Sequence, residues 1–129
     1  MQNVPDPSVV EWLDQQPAES VWITSITLFE AHLGLALLPS GRRRQALELA
    51  FEQLLAEDLE ERVLDFDRSA AEAAAALAAE RQQKGRTVDM RDTQIAGIVI
   101  ARRAALATRN VKHFADLTAE VVNPWEVKR

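Results

Sequence analysis

Among the side chains whose oxygens could hold a divalent cation, four stand at places that could form a site: Glu30, Asp89, Asp92 and Asn110. Glu30 is the lone acid in the apolar run ITSITLFEAHLGLALLP, residues 23–39. Asp89 and Asp92 share the stretch VDMRD, and Asn110 closes ATRN. Carboxylate and amide oxygens are hard ligands suited to Mg²⁺ or Mn²⁺. Mg²⁺ commonly takes one or two protein carboxylates and completes its shell with water and substrate phosphates. Softer chemistry has little to work with here. The chain has no cysteine, and its two histidines, His32 and His113, lack metal-ligand spacing to one another. A structural reading stands beside the chemical one at each position. Thr27 with Glu30 spells a capping box, in which the glutamate satisfies a backbone N–H. Asp89 and Asp92 suit a helix N-terminus through its dipole, and Asn110 is a common turn residue. Taken singly, each is more readily structural. Gathered at one edge, they make an oxygen-rich pocket.

Whether they gather depends on the elements that carry them. Asp6-Pro7 opens a helix with Val9, Val10 and Leu13 as its apolar stripe, and Pro17 ends it. SVWITSI, residues 20–26, reads as a strand; Thr27 then caps a helix to about Leu38, stopped by PSG. Ser40 caps a helix over 41–59, with Leu47, Ala50, Phe51, Leu54 and Leu55 at helical spacing. RVLDF, residues 62–66, is a short strand. Asp67 caps the alanine-rich helix RSAAEAAAALAAERQQK and Gly85 closes it; so many alanines imply close packing against a neighbour. Asp89 starts the helix MRDTQIAGIVIARRA, which buries Ile95, Ile98 and Val99. ALAT is a strand, RNVKHFADL a loop or short helical turn, and EVVNPW a last strand. Strands alternating with helices predict an α/β layered domain with a mostly parallel sheet of about four strands. In such a sheet the functional site lies at the carboxyl ends of the strands. Glu30 follows SVWITSI on the first turn of its helix, Asp92 sits on the first turn of the helix leading into ALAT, and Asn110 follows ALAT directly. The chain also opens on a helix, where parallel α/β domains usually open on a central strand.

At 129 residues the expectation is a single domain over 1–129, large enough for a real core. Apolar residues at 47% and charged residues at 27% are ordinary for a globular protein. No stretch is long and apolar enough to cross a bilayer, and the N-terminus has no basic region leading into an apolar one. With the absence of cysteine, this places the expected location in the cytoplasm. A net charge of −5 argues against bulk electrostatic binding of nucleic acid, yet allows a local basic rim around an acidic site. Arg42, Arg43 and Arg44, with Arg102, Arg103, Arg109 and Lys112, could supply one.

The segments ITSITLFEAHLGLALLPSGRRRQAL, GRTVDMRDTQIAGIVIARRAALATRNVKHF and EVVNPW resemble the VapC/FitB branch of the PIN-domain proteins, toxins of bacterial toxin–antitoxin pairs also known as plasmid-stability proteins. The resemblance implies a PIN-like three-layer domain, with a parallel sheet of about five strands and helices on both sides. It implies a metal-dependent ribonuclease in which Mg²⁺ or Mn²⁺ activates water and steadies charge on the phosphodiester. It further implies an RNA substrate, a small antitoxin partner and a homodimer. The family pattern T-x-x-E places an acid at Glu30, D-x-x-I-A-G/A places one at Asp92, and the position after AT-R is held by Asn110. Asp89 is an additional candidate ligand, with Asp116 nearby. The family also opens on a strand of the form apolar-apolar-x-D-T-N, whose Asp is the first metal ligand and which lies centrally, between the strands matching VWITS and ALATR. Nothing here matches it, and Asp6, beside the proline that opens a helix, is no substitute. The expectation is therefore a chain truncated relative to the family, with weak or absent metal and impaired cleavage. The alternative is a catalytically impaired PIN-like remnant that serves as a protein-binding module.

Overall fold

The computed structural model describes Glu11, residues 15–17 and residues 20–124. The helix expected to open at Asp6 lies for the most part outside the described residues, as does Trp125 at the end of the last expected strand. The first described strand, β1 (Ile23–Thr24), is far shorter than the apolar run suggests. It stops where Thr24 pairs with Leu64 and turns at once into α1 (Ser25–Ala36). The cap is Thr24, whose Oγ1 accepts the backbone N–H of Thr27 at 3.0 Å. Thr27 is thus inside the helix, and the cap expected there is corrected by one turn. Leu38-Pro39-Ser40-Gly41 leads into α2 (Arg42–Gln53), which runs on through a π-helical turn at Leu54–Asp58. Its cap position is Gly41, with φ +151°, and not the expected Ser40. Strand β2 (Val63–Leu64) follows, steadied where Ser25 Oγ accepts the Phe66 N–H at 2.9 Å.

The next two helices have the expected caps. Asp67 accepts the Ala70 N–H and starts α3 (Arg68–Gln83); Asp89 accepts the Asp92 N–H and starts α4 (Met90–Arg102). Gly85, at φ +71°, supplies the left-handed residue after α3 that a β-carbon would disfavour. The core lies between these helices: Ala70, Ala74 and Leu77 from α3 and Ile95, Ala96, Ile98 and Val99 from α4 are all buried. The alanines allow the close approach that the sequence implied. Gly97 completes it, with a β-carbon at that position falling 2.6 Å from Ala74 Cβ and closer still to the Ala70 carbonyl oxygen.

After α4 come β3 (Leu106–Ala107), a 3₁₀ turn at Val111–Phe114, and β4 (Val121–Val122). Phe114 is buried, and Leu106 and Val121 pack against the same cluster. All four described strands pair in parallel, as expected for an α/β domain with helices packed on its strands. The expected single sheet is instead two pairs: β1 with β2 in the register Ile23↔Val63, and β3 with β4 in the register Leu106↔Val121. Among the described residues no strand joins the two pairs. No described helix is long and apolar enough to cross a membrane.

Candidate functional site

Moving the α1 cap to Thr24 changes what Glu30 can do. It stands in the second turn of the helix, beyond reach of the free N–H groups at the start, so the capping-box reading falls away. Its carboxylate is directed instead to the first turn of α4: Oε2 lies 3.7 Å from Arg91 Nη1. Arg91 also stacks over the Phe29 ring, its guanidinium carbon 5.4 Å from the centroid. Both partners of this ion pair are substantially exposed, so it contributes little to stability. Its value is geometric, because it brings Glu30 to the residue preceding Asp92.

Asp92 is the least exposed of the candidate acids, with its side chain 18% accessible. Its Oδ2 pairs with His113 Nδ1 at 2.5 Å. Asp89 has a structural duty, since its Oδ1 accepts the Asp92 N–H at 2.9 Å as the cap of α4. Asn110 opens the 3₁₀ turn that carries His113; its backbone N–H donates to Thr108 Oγ1 at 3.1 Å, and the residue is exposed. The turn following β3 and the first turn of α4 thus meet through His113 and Asp92, and α1 reaches the same turn through Glu30.

Asp116 belongs elsewhere. Its two carboxylate oxygens take a bidentate pair from Arg81 Nε and Nη2, both at 2.8 Å, and Arg86 Nη1 lies 3.3 Å away. Arg81 is 5% exposed, and it also donates to Thr93 Oγ1 at 3.2 Å and to the His113 carbonyl at 2.9 Å. The Arg81 hydrogen bond, against the opposing cost of burial, holds the Asp116 carboxyl below the usual carboxylate range. The same bond raises Arg81 and keeps it charged. Asp116 is therefore a structural acid and not an additional donor at the candidate site. Arg81 and His113 are the two residues that the sequence reading missed. For Arg81 a signal existed: Ala70, Ala74, Leu77 and Arg81 follow one helical stripe, and the stripe is buried. For His113 there was none, because its partner lies 21 residues away.

The donor set fits a hard divalent cation in kind, being carboxylate with the Asn110 amide oxygen on the turn that carries His113. In number it is lean: among the described residues, no three acid or histidine side chains stand together as a metal-holding group. Part of the expected basic rim is engaged within the chain. Arg102 pairs with Asp67 at 2.9 Å, and Arg44 with Glu48 at 3.0 Å. Lys112 is exposed beside Asn110 and His113 on the turn.

Residues 5–119 match the PIN domain family. The chain is 35% identical over 122 residues to Plasmid stability protein StbB of Pseudomonas syringae pv. tomato, covering 95% of this chain and 88% of the relative. It is 34% identical to VapC ribonuclease Y4jK of Sinorhizobium fredii (95% and 87% covered), and 31% identical to Toxin FitB of Neisseria gonorrhoeae (94% and 87% covered). The crystal structure of FitAcB from Neisseria gonorrhoeae superposes with a TM-score of 0.87 at 30% identity, over 98% of this chain and 91% of that one.

Proposed function

The chain belongs to the PIN-domain family, and on that premise we propose that it is the nuclease-toxin half of a toxin–antitoxin pair, acting on RNA phosphodiesters with Mg²⁺ or Mn²⁺ and held in check by a small antitoxin protein. The observation that carries this reading is that α1, through Glu30 and Arg91, and the turn after β3, through His113 and Asp92, both reach the first turn of α4. Asp92 and Glu30 would hold the metal, with Asn110 as an amide donor at the edge and Asp89 as a further carboxylate. When bound, the metal would activate water and neutralise charge on the phosphodiester. The chain's own contribution is placement. The α4 cap fixes the backbone of Asp92, Arg91 pairs Glu30 with the first turn of α4, and Lys112 with Arg109 offers positive charge where an RNA backbone would pass. With two clear carboxylates the proposal includes weak metal binding.

The test is cleavage of single-stranded RNA by the purified chain with Mn²⁺, compared with Asp92→Asn and Glu30→Gln. The loss of metal-borne charge stabilisation should slow cleavage by about 100-fold or more in Asp92→Asn. Undiminished cleavage by that variant would sink the nuclease assignment for these residues.

A second reading, a PIN-like module that binds a protein without cleaving RNA, is favoured by one observation. Each of the two acids already has a partner inside the chain, Arg91 for Glu30 and His113 for Asp92. Binding of a small protein partner that is unchanged in Asp92→Asn, by a wild-type chain that leaves RNA intact, would select this reading.

Homodimer formation is part of the proposal. Strands β1 and β3 each lack a second hydrogen-bonded neighbour among the described residues, and Trp22, Phe29 and Leu37 are exposed. Unpaired strand edges and exposed apolar surface both favour association. Light scattering at micromolar concentration should give at least the mass of two chains. A monomer that melts cooperatively would remove the argument.

A further inference from the structure

We propose that His113 is a positioning residue for Asp92: its ring holds one carboxylate oxygen, Oδ2, and so fixes the direction in which the other, Oδ1, is presented. The consequence for metal rests on the reading above; the geometry stands without it. A carboxylate only accepts hydrogen bonds, so the neutral imidazole facing Oδ2 across 2.5 Å must carry its proton on Nδ1. The ring is the more exposed partner, 54% against 18% for the Asp92 side chain. Oδ1 makes no hydrogen bond among the described residues.

Exposed pairs of this kind usually contribute little, because two mobile side chains must be ordered to form them. Here most of the ordering is already done from behind. Arg81 Nη2 donates to the His113 carbonyl at 2.9 Å, while Arg81 Nη1 donates at 3.2 Å to Thr93, the residue after Asp92. One buried guanidinium thus ties together the two backbone segments whose side chains meet. Three further anchors complete the frame. The Thr93 hydroxyl donates to the Asp89 carbonyl at 2.7 Å, the His113 N–H donates to the Asn110 carbonyl at 3.0 Å, and Phe114 is seated in the core. Groups that orient a metal-binding side chain from outside its coordination shell typically change metal affinity by about 10–100-fold. His113 meets that description for Asp92.

Two measurements test it. The first is the nitrogen-15 spectrum of the His113 ring in the wild-type chain and in Asp92→Ala. The Nδ1–H tautomer in wild type, lost in Asp92→Ala, is the expected result; an Nε2–H tautomer in wild type overturns the proposal. The second is Mn²⁺ affinity, read by water-proton relaxation, in wild type, His113→Phe and His113→Asn. Asparagine restores an N–H donor near the place of Nδ1, and phenylalanine keeps bulk without a donor. His113→Phe should bind Mn²⁺ about 10–100-fold more weakly while His113→Asn stays close to wild type. Equal affinity in His113→Phe and wild type overturns the proposal and leaves the metal reading intact. If wild type takes up no Mn²⁺ at millimolar concentration, the metal reading fails, and the ring tautomer alone decides the pairing: Nδ1–H upholds it and Nε2–H overturns it.

Discussion

Replacing Gly97 by alanine is expected to destabilise the protein by about 3 kcal/mol, the upper part of the range for overpacking, and to lower its melting temperature by about 10 °C. The added carbon would meet the Ala70 carbonyl oxygen, the Ala74 β-carbon at 2.6 Å and the Ala74 backbone nitrogen at 2.9 Å. Two of these three atoms belong to the backbone of α3, which cannot swing aside as a long side chain can. Relief would require α3 and α4 to separate, and the core between them to open. In an isolated helix the same change would stabilise, since alanine is the better helix former by up to about 1 kcal/mol. The sign of the effect therefore tests the packing directly. Thermal denaturation followed by circular dichroism reads it, and an unchanged or raised melting temperature would show that the two helices are not in contact at this point. Valine at position 97, with two more carbons in the same space, should leave no cooperative transition.

Half of this contact was legible in the sequence. The alanines of α3 announced a close neighbour, and Asp67 and Asp89 announced where the helices start; both signals are local, and both hold. The matching glycine was not announced, because a glycine within an apolar helix reads the same whether it faces a neighbour or a solvent-filled space. The misplaced cap of α1 has a similar origin. Thr24 and Thr27 are equivalent candidates by sequence, and the choice falls to the strand pairing Thr24↔Leu64, with a partner forty residues away. That one-turn shift decides whether Glu30 can serve the helix start. Glu30 and Asp92 are candidates from type and spacing alone. Their partners, Arg91 across two helices and His113 across a strand and a turn, depend on the fold and could not be.

Removal of the Arg81 guanidinium is the second large effect. Arg81→Met keeps the stem, which the core accommodates, and leaves the Asp116 carboxylate without its bidentate partner. Breaking a buried ion pair from one side costs about 3–5 kcal/mol. With the Asp116 side chain 20% exposed, the lower figure of about 3 kcal/mol is expected. Removing both groups, in Arg81→Met with Asp116→Ala, should cost less than removing Arg81 alone, because no charge is left stranded. Urea denaturation of the three variants measures this; a double variant as weak as the sum of the singles would mean that the two groups do not interact. Acid gives an independent reading. The folded-state carboxyl of Asp116 titrates below its unfolded value of about 3.9, so its contribution is fully present above that pH. The contribution is lost as pH falls through the lower folded-state value. Wild type should therefore lose stability relative to Asp116→Asn across this acid interval, and the difference between them should be constant near neutrality.

The division of the strands into two pairs also sets an order of assembly. Strands β3 and β4 meet across fifteen residues, Leu106 with Val121, whereas β1 and β2 meet across forty, Ile23 with Val63. Closing the longer loop costs about 0.9 kcal/mol more entropy. The shorter pairing also draws on the buried cluster of Leu77, Ile95, Val99 and Phe114. The longer one is accompanied by α1 and α2, in which no residue is buried. From the segment between β1 and β2 only Ile26 packs against that cluster among the described residues, so this segment is expected to open before α3 and α4 do. Glu30 lies on that segment, while Asp92, His113 and Asn110 lie on the other. Under the proposed function, Glu30 could join the others only while the segment is docked, and a ligand that bridged Glu30 to Asp92 would hold the two halves of the chain together.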